Sequence, residues 1–380
     1  MDNPLKKILE GTIGGLFHKE GSVLGIDFGS SSIKVVQLRR HRGAAVLETY
    51  GELSLGPYAG FEIGRATSLD PAKLAEALTD LIKEANVTTK DCGISIPFAS
   101  SLISLIKMPA LDPGQLKKMI PIEARKYIPV PITEVALDWF ILPEEGRRFL
   151  GTPEEAAAAE AEGKYSKVDV LLVAIHNETL NKFNSVVKQA GLEASFFEIE
   201  IFSTIRSTIT QNTTPVMIID MGAATTKLYI VEYGIVRSSH IVNKGSQDVT
   251  LALSRMLGVS IGKAEEIKRE SGIAGQVGDQ NISEAALLTL EYIFSEAKRV
   301  MLQYQERYRR NVTNVLFVGG GALLKGLLPR AEKQFETQVG LGMPFGRTQA
   351  PAFLEQVLLE TGPSFSVAVG LALRKLQEGE

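Results

Sequence analysis

Ile26-Asp27-Phe28-Gly29-Ser30-Ser31-Ser32-Ile33-Lys34 and Ile219-Asp220-Met221-Gly222-Ala223-Ala224-Thr225-Thr226-Lys227 share one pattern, I-D-x-G-x-x-x-x-K, and the second copy lies 193 residues downstream of the first (27 to 220). Around the first copy, Val23 to Ile26 leads into the turn residues and a run rich in β-branched residues, Ile33 to Leu38, leads out of them. That order reads as strand, tight turn, strand. A single D-x-G hairpin is usually only a turn. Two copies with the same lysine offset imply two similar α/β domains facing each other.

The residue types in the turns suit an anion. Glycine and small polar residues let the backbone approach phosphate oxygens, and consecutive turn N–H groups form a concavity for them. Ser30, Ser31, Thr225 and Thr226 add hydroxyl donors, and Lys34 adds a cation. Asp27 and Asp220 sit at strand ends, placed to hold the water shell of a phosphate-bound Mg²⁺. The pattern is not a P-loop, because no G-x-x-x-x-G-K-[ST] is present and strand rather than helix follows each glycine. A third signal is Val315-Leu316-Phe317-Val318-Gly319-Gly320-Gly321-Ala322, a buried strand ending in glycines, with a helix expected from about Leu323. Between the second hairpin and this turn, Lys263-Ala264-Glu265-Glu266-Ile267-Lys268 places Glu265 and Lys268 on one helical face. Alone, that pair would read by default as a solvated charged face.

Composition narrows the function classes. With 380 residues, 44% hydrophobic and 22% charged, the chain can bury a sizeable core in more than one domain. A formal net charge of −3 argues against a nucleic-acid partner, which needs a concentrated basic face. The single Cys92 and four scattered histidines offer no metal-ligand spacing. No run approaches the ~20 consecutive apolar residues that cross a bilayer, so no direct membrane span is expected. Leu5, Ile8, Leu9, Ile13, Leu16 and Phe17 are spaced helically rather than as a signal peptide. They fit a helix packed on the body of the protein or a partly ordered tail, with a membrane-surface or partner helix as the other reading, against which Gly11, Gly14 and Gly15 count.

The pass along the chain gives an α/β, bilobed arrangement with a small inserted α+β subdomain. Residues 1–21 are an N-terminal segment and 22–108 begin the first domain. Within it, strands are expected at 44–55, 92–97 and 101–107, and Asp70-Pro71 opens a helix reaching about Asn86. The insertion spans 109–192, with a helix from Gln115 to Tyr127, the extended Ile128-Pro129-Val130-Pro131, strands at 135–142 and 168–175, and a closing helix from Asn177 to Ala190. An Ala/Glu-rich run, 153–162, has little to bury. Residues 193–214 return to the first domain, with a strand from Phe196 to Ile201. The second domain covers 215–362, mainly helical at about 245–310, and 363–380 form a C-terminal helix packing back on domain 1 through the small residues Ala368 and Gly370.

Hairpin, hairpin, A-E-x-x-K helix and G-G-G-A, in that order, resemble the superfamily of actin, heat-shock chaperone ATPases and sugar kinases, whose core is ribonuclease H-like. Within it the chain resembles the PilM family of type IV pilus assembly proteins, relatives of the division protein FtsA. The most specific match is Glu123-Ala124-Arg125-Lys126-Tyr127-Ile128-Pro129-Val130-Pro131-Ile132-Thr133-Glu134; Gly319 to Leu327 is a second, and the resemblance covers about Val23 to Leu373. It implies ATP and Mg²⁺ in a central cleft. Asp27, Gly29, Ser30, Ser31, Asp220, Gly222, Thr225 and Thr226 would face phosphates and metal, Glu265 and Lys268 the ribose, and Gly319, Gly320 and Gly321 the adenosine. It also implies a groove between the first domain and the insertion, lined by Lys107 to Trp139 with Tyr127, Ile128, Pro129 and Pro131, for the cytoplasmic tail of a PilN-like inner-membrane protein. Pilus assembly or retraction ATPases and self-association are the further partners implied, with a cytoplasmic location at the inner face of the membrane. Where many relatives carry E-P-x-A to position the attacking water, this chain has Glu200-Ile201-Phe202-Ser203. The carboxylate is kept but not the proline or alanine, so Glu200 is the candidate catalytic residue of at most a weak ATPase.

Two other readings stay open on these residues. A sugar-type kinase would share the hairpins but would not need the Tyr-Ile-Pro-Val-Pro stretch. An FtsA-like filament former would be expected to carry a C-terminal amphipathic membrane helix, whereas the chain stops soon after Leu371 to Leu376.

Overall fold

The computed structural model describes residues 21–109, 111–142, 167–210, 213–273, 276–277, 280–281 and 283–377. The apolar stripe from Leu5 to Phe17 and the Ala/Glu-rich run 153–162 lie outside the described residues.

The first hairpin forms β1 (Ser22–Phe28) and β2 (Ser32–His41), and β3 (Ala44–Ser54) extends it. Helix α1 (Pro71–Glu84) starts where the sequence places it. The Asp70 carboxylate accepts from the Ala72 and Lys73 amides, and Pro71, which has no amide hydrogen to leave unpaired, comes first. Its Leu74, Leu78 and Leu81 form the apolar stripe that meets the sheet. β4 (Asp91–Ile96) then runs parallel to β1.

The chain next builds a separate unit from β5 (Ser101–Pro109), α2 (Pro113–Ala124), β6 (Val135–Ile141) and β7 (Lys167–His176). These strands make an antiparallel sheet in the order β5-β7-β6, with Leu116, Ile120 and Ala124 of α2 packed on Ile106, Val170 and Leu172. α3 (Asn177–Gln189), β8 (Glu193–Ile199) and α4 (Glu200–Thr208) return to the first lobe. The insertion therefore differs from the expected 109–192. β5, expected in the first domain, pairs along its length with β7. α3, expected in the insertion, buries Leu180, Phe183 and Val187 in the core that holds Leu74 and Leu78, and Phe183 stacks on Phe28 at 4.8 Å. The inserted unit is thus 101–176. The prolines that change the texture of the sequence at Pro109 mark the end of a strand, not the boundary of a domain.

The second lobe repeats the first. β9 (Val216–Met221), β10 (Thr226–Glu232) and β11 (Ile235–Val242) form the second hairpin and its third strand. After α5 (Ser246–Leu257), α6 (Ile261–Ser271), the short pair β12 (Gln276–Val277) and β13 (Gln280–Asn281), and α7 (Ser283–Tyr308), β14 (Asn314–Val318) adds in parallel to β9. α8 (Leu327–Phe335), β15 (Gln338–Leu341), α9 (Glu355–Thr361) and α10 (Ser366–Gln377) complete the chain. The sheet orders are β3-β2-β1-β4-β8 and β11-β10-β9-β14-β15. In each, three antiparallel strands are followed by two parallel ones.

α10 lies against β1 and α4 of the first lobe. A Cβ on Gly370 would fall 1.9 Å from the Ser203 carbonyl oxygen, so only glycine lets the helices meet this closely. Below the contact, buried Glu198 holds Arg206 at 2.6 Å and Arg374 at 3.0 Å. One segment, Ala352–Gln377, is long and apolar enough to cross a membrane by length and composition, but 72% of its apolar window is buried inside the fold. Packing on the first lobe accounts for its hydropathy.

Candidate functional site

A cleft of about 520 Å³ opens between the lobes, and both hairpin turns line it. The turns have matching backbone geometry. Gly29 N donates to Ser32 O at 3.0 Å, and Gly222 N donates to Thr225 O at 3.0 Å. A Cβ would sit 2.8 Å from Ser32 O in one turn and 2.9 Å from Thr225 O in the other. Glycine is required here by lack of space, since neither residue has a positive φ. The spacing in I-D-x-G-x-x-x-x-K is the register of the hairpin: Asp27 pairs across strands with Lys34, and Asp220 with Lys227.

The side chains then diverge. Lys34 Nζ donates to Ser32 Oγ at 2.8 Å and meets Glu52 at 3.2 Å. Lys227 Nζ instead bridges Glu200 at 2.8 Å and Asp220 at 3.3 Å. Burial alone would weaken the Lys227 ammonium, but Asp220 and Glu200 outweigh it and hold its pKa above the ordinary value. Asp27 accepts from Ser95 Oγ at 3.0 Å, and the same Ser95 oxygen accepts from Phe28 N. Burial pushes Asp27 up to about 6, against the pull of Lys34 and Lys227 and with a push from Glu200. Glu200 is not the strand carboxylate that the sequence suggested. It is the first residue of α4, buried, with one oxygen accepting from Phe98 N at 2.7 Å and the other on Lys227.

Ser30, Ser31 and Thr225 line the cleft as expected. Thr226 does not: it is fully buried and donates its hydroxyl to Lys244 O at 2.8 Å, because its side chain points to the opposite face of β10. β14 ends at the three glycines, which enter a single 3₁₀ turn (Gly320–Leu323), so the helix starts at Leu327 rather than Leu323. Gly319 has φ 82°, and a Cβ there would meet Asp220 Oδ1 at 2.6 Å. Around Gly320 the space is open to the cleft within 4 Å. Glu265 and Lys268 are buried in the wall rather than solvated, 2.6 Å apart, with Thr250 donating to Glu265 at 2.7 Å. Burial works to raise the Glu265 carboxyl, yet Lys268, Arg269 and Thr250 together hold it below its usual value; burial lowers Lys268.

The peptide-groove candidates lie in the inserted unit, away from this cleft. Tyr127 is 41% exposed and Pro129 and Pro131 are exposed, whereas Ile128 is buried in the core of the insertion and offers no surface. Sequence reasoning did not name Lys227 as a site residue, although the repeated lysine offset marks it. It also did not name Ser95, for which no local signal exists.

A family model for type IV pilus assembly protein PilM matches residues 25–376. The chain belongs to that family. Among solved structures, it is similar to the PilM–PilN type IV pilus biogenesis complex, with a TM-score of 0.76 and 22% identity over 95% of this chain and 100% of that one. It is also similar to the ethanolamine utilization protein EutJ of Carboxydothermus hydrogenoformans, with a TM-score of 0.53 and 14% identity over 94% and 91% of the two chains. A third is MreB5 of Spiroplasma citri bound to ADP, with a TM-score of 0.51 and 12% identity over 94% and 97%. Among curated relatives, the cell division protein FtsA of Streptococcus pneumoniae is 23% identical over 86% of this chain and 76% of its own length. The architecture is accordingly the bilobed actin-like fold, and this PilM-family chain carries its two glycine turns on one cleft.

Proposed function

We propose that this PilM-family protein is a cytoplasmic ATP-binding scaffold of type IV pilus assembly, which holds the tail of a PilN-like membrane protein against its inserted unit. The observation that carries the nucleotide part is the pair of glycine turns, each closed by the same internal hydrogen bond, that line one cleft from the two lobes. Triphosphate oxygens would take the backbone donors and the hydroxyls of Ser30, Ser31 and Thr225, while the open face at Gly320 leaves room for the adenosine. Asp27 and Asp220 fit a hydrated Mg²⁺, since both carboxylates border the cleft beside the turns. Bound there, Mg²⁺ would neutralise phosphate charge. Glu200 stands where it could orient a water toward a terminal phosphate, at the low rate expected of a scaffold. The partner part rests on family membership and on exposed Tyr127, Pro129 and Pro131 in the inserted unit, a non-helical apolar surface that would receive a peptide's side chains.

Titration with a fluorescent ATP analogue, with and without Mg²⁺, tests the cleft. Asp27→Ala and Asp220→Ala should each weaken Mg²⁺-dependent binding, and unchanged affinity in both would remove the metal assignment. Hydrogen exchange with a PilN-type tail peptide should protect residues 107–139; protection confined elsewhere would reject the groove.

A further inference from the structure

Between β3 and α1 the first lobe sends out a loop that reaches the second lobe. Both feet of this loop are anchored on the first phosphate turn: Leu55 N donates to Ser31 O and Thr67 N to Ser30 O, each at 2.8 Å. Its outer part rests on the wall that carries Glu265. The Glu62 carboxylate accepts from Gly262 N at 2.8 Å, and that bond, with help from Ser260 and Ile261, holds its pKa below the usual value. Ala66 N donates to the Gln247 side-chain oxygen at 2.7 Å. Between them, Gly64 has φ 94° and lies so close to Glu265 that a Cβ would sit 2.8 Å from its side chain. Phe61 and Arg65 brace the loop, with the guanidinium 4.2 Å above the ring.

We propose that residues 61–67 form a strap that holds the two lobes shut over a bound nucleotide, fastened by Glu62 and Gln247, so that nucleotide leaves only when the strap lets go. This rests on the nucleotide reading above. The lobes cannot part while both fasteners hold, because the strap is rooted in one lobe and tied to α5 and α6 of the other. Its roots on the Ser30 and Ser31 carbonyls tie it to the turn that would grip the phosphates, so a filled turn steadies the strap. Glu62 and Gln247 are positioning residues, since neither lines the cleft itself.

The geometry supplies a direct test. A Cβ built on Gly262 lies 3.6 Å from that of Glu62, within the separation of about 3.5–4.5 Å that a disulfide spans. The native Cys92 is buried and does not compete. In the full chain carrying Glu62→Cys and Gly262→Cys, loaded with the fluorescent ATP analogue and chased with excess ATP, oxidation should slow release at least about tenfold and reductant should restore it. Glu62→Ala and Gln247→Ala should each speed release about two- to fivefold, with melting behaviour unchanged outside the cleft. Release at one rate in the oxidised and reduced protein, or failure of the disulfide to form, overturns the strap. If the wild-type chain binds no nucleotide at all, the nucleotide reading fails first and the strap falls with it.

Discussion

Replacing Lys227 by methionine should destabilise the unliganded protein, and the deficit should depend on pH. The ammonium is 16% exposed and touches Glu200 at 2.8 Å and Asp220 at 3.3 Å, with Asp27 also within its field. Removing one partner of a buried pair costs about 3–5 kcal/mol, because the remaining charge is left uncompensated. Here the carboxylates can recover part of that by taking up a proton. Asp27 already has its folded pKa raised from 3.8 to about 6. A raised acid holds its proton more tightly in the folded state, so its contribution to stability is full below about 3.8 and is lost as pH rises through about 6. Lys227 is one of the groups pulling that value down, so its loss moves the upper edge of the window toward neutrality. Each pH unit is worth about 1.4 kcal/mol per proton bound. We expect a deficit of about 3 kcal/mol or more near pH 8, and one smaller by at least about 1 kcal/mol near pH 5.5. Urea unfolding followed by far-ultraviolet circular dichroism is the suitable assay, because the single tryptophan, Trp139, sits in the inserted unit and its fluorescence would report that unit alone. A variant as stable as wild type at pH 8, or equally destabilised at both values, would refute the reasoning.

Gly320→Ala should leave the melting temperature unchanged yet weaken ATP-analogue binding, since its Cβ meets only the cleft. Gly319→Ala should cost about 1–3 kcal/mol or more by thermal melting, because it combines a left-handed φ with a clash at Asp220. Arg374→Met should flatten the acid limb of the stability profile. Glu198 is held below its ordinary value by Arg206 and Arg374, so wild type loses that contribution as pH falls through the depressed pKa, whereas the variant lacks part of it throughout. Tyr127→Ala should weaken a PilN-type tail peptide in calorimetry with stability intact. Ile128→Ala, buried in the insertion, should instead cost about 2–5 kcal/mol in chemical denaturation.

Features set by short-range chemistry were open to reading from the sequence. The hairpin turns, the Asp70 cap of α1 and the small residues of α10 each need only a few neighbouring positions to be recognised. Features set by which strand lies alongside were not. Residues 197–201 alternate apolar and acidic positions, so the run from Phe196 to Ile201 reads as strand throughout. In the fold, β8 ends at Ile199 because its partner β4 ends at Ile96, where Pro97 follows and has no amide hydrogen to continue the ladder. The chain turns into α4 there, and Phe98 N, left without a strand partner, finds the Glu200 carboxylate. The strand 101–109 shows the same limit: local pattern says that it is a strand but not which sheet it joins.

The same dependence on a neighbouring strand explains why two hairpins with one backbone geometry carry different chemistry. Lys34 faces Glu52 across β2 and β3, in direct register, and its ammonium meets that carboxylate at 3.2 Å. The residue in register with Lys227 on β11 is Ile241, which offers no charge. With no acidic partner on the outer strand, Lys227 turns inward to Glu200 and Asp220. A repeated motif fixes where the two lysines start, and one position on the third strand of each sheet decides where their charges end. The first lobe therefore keeps its lysine on its own sheet, and the second commits its lysine to a carboxylate of the opposite lobe. The asymmetry matters for function because Lys227–Glu200 is a charge contact that joins the lobes through the floor of the cleft, while the strap joins them across its mouth.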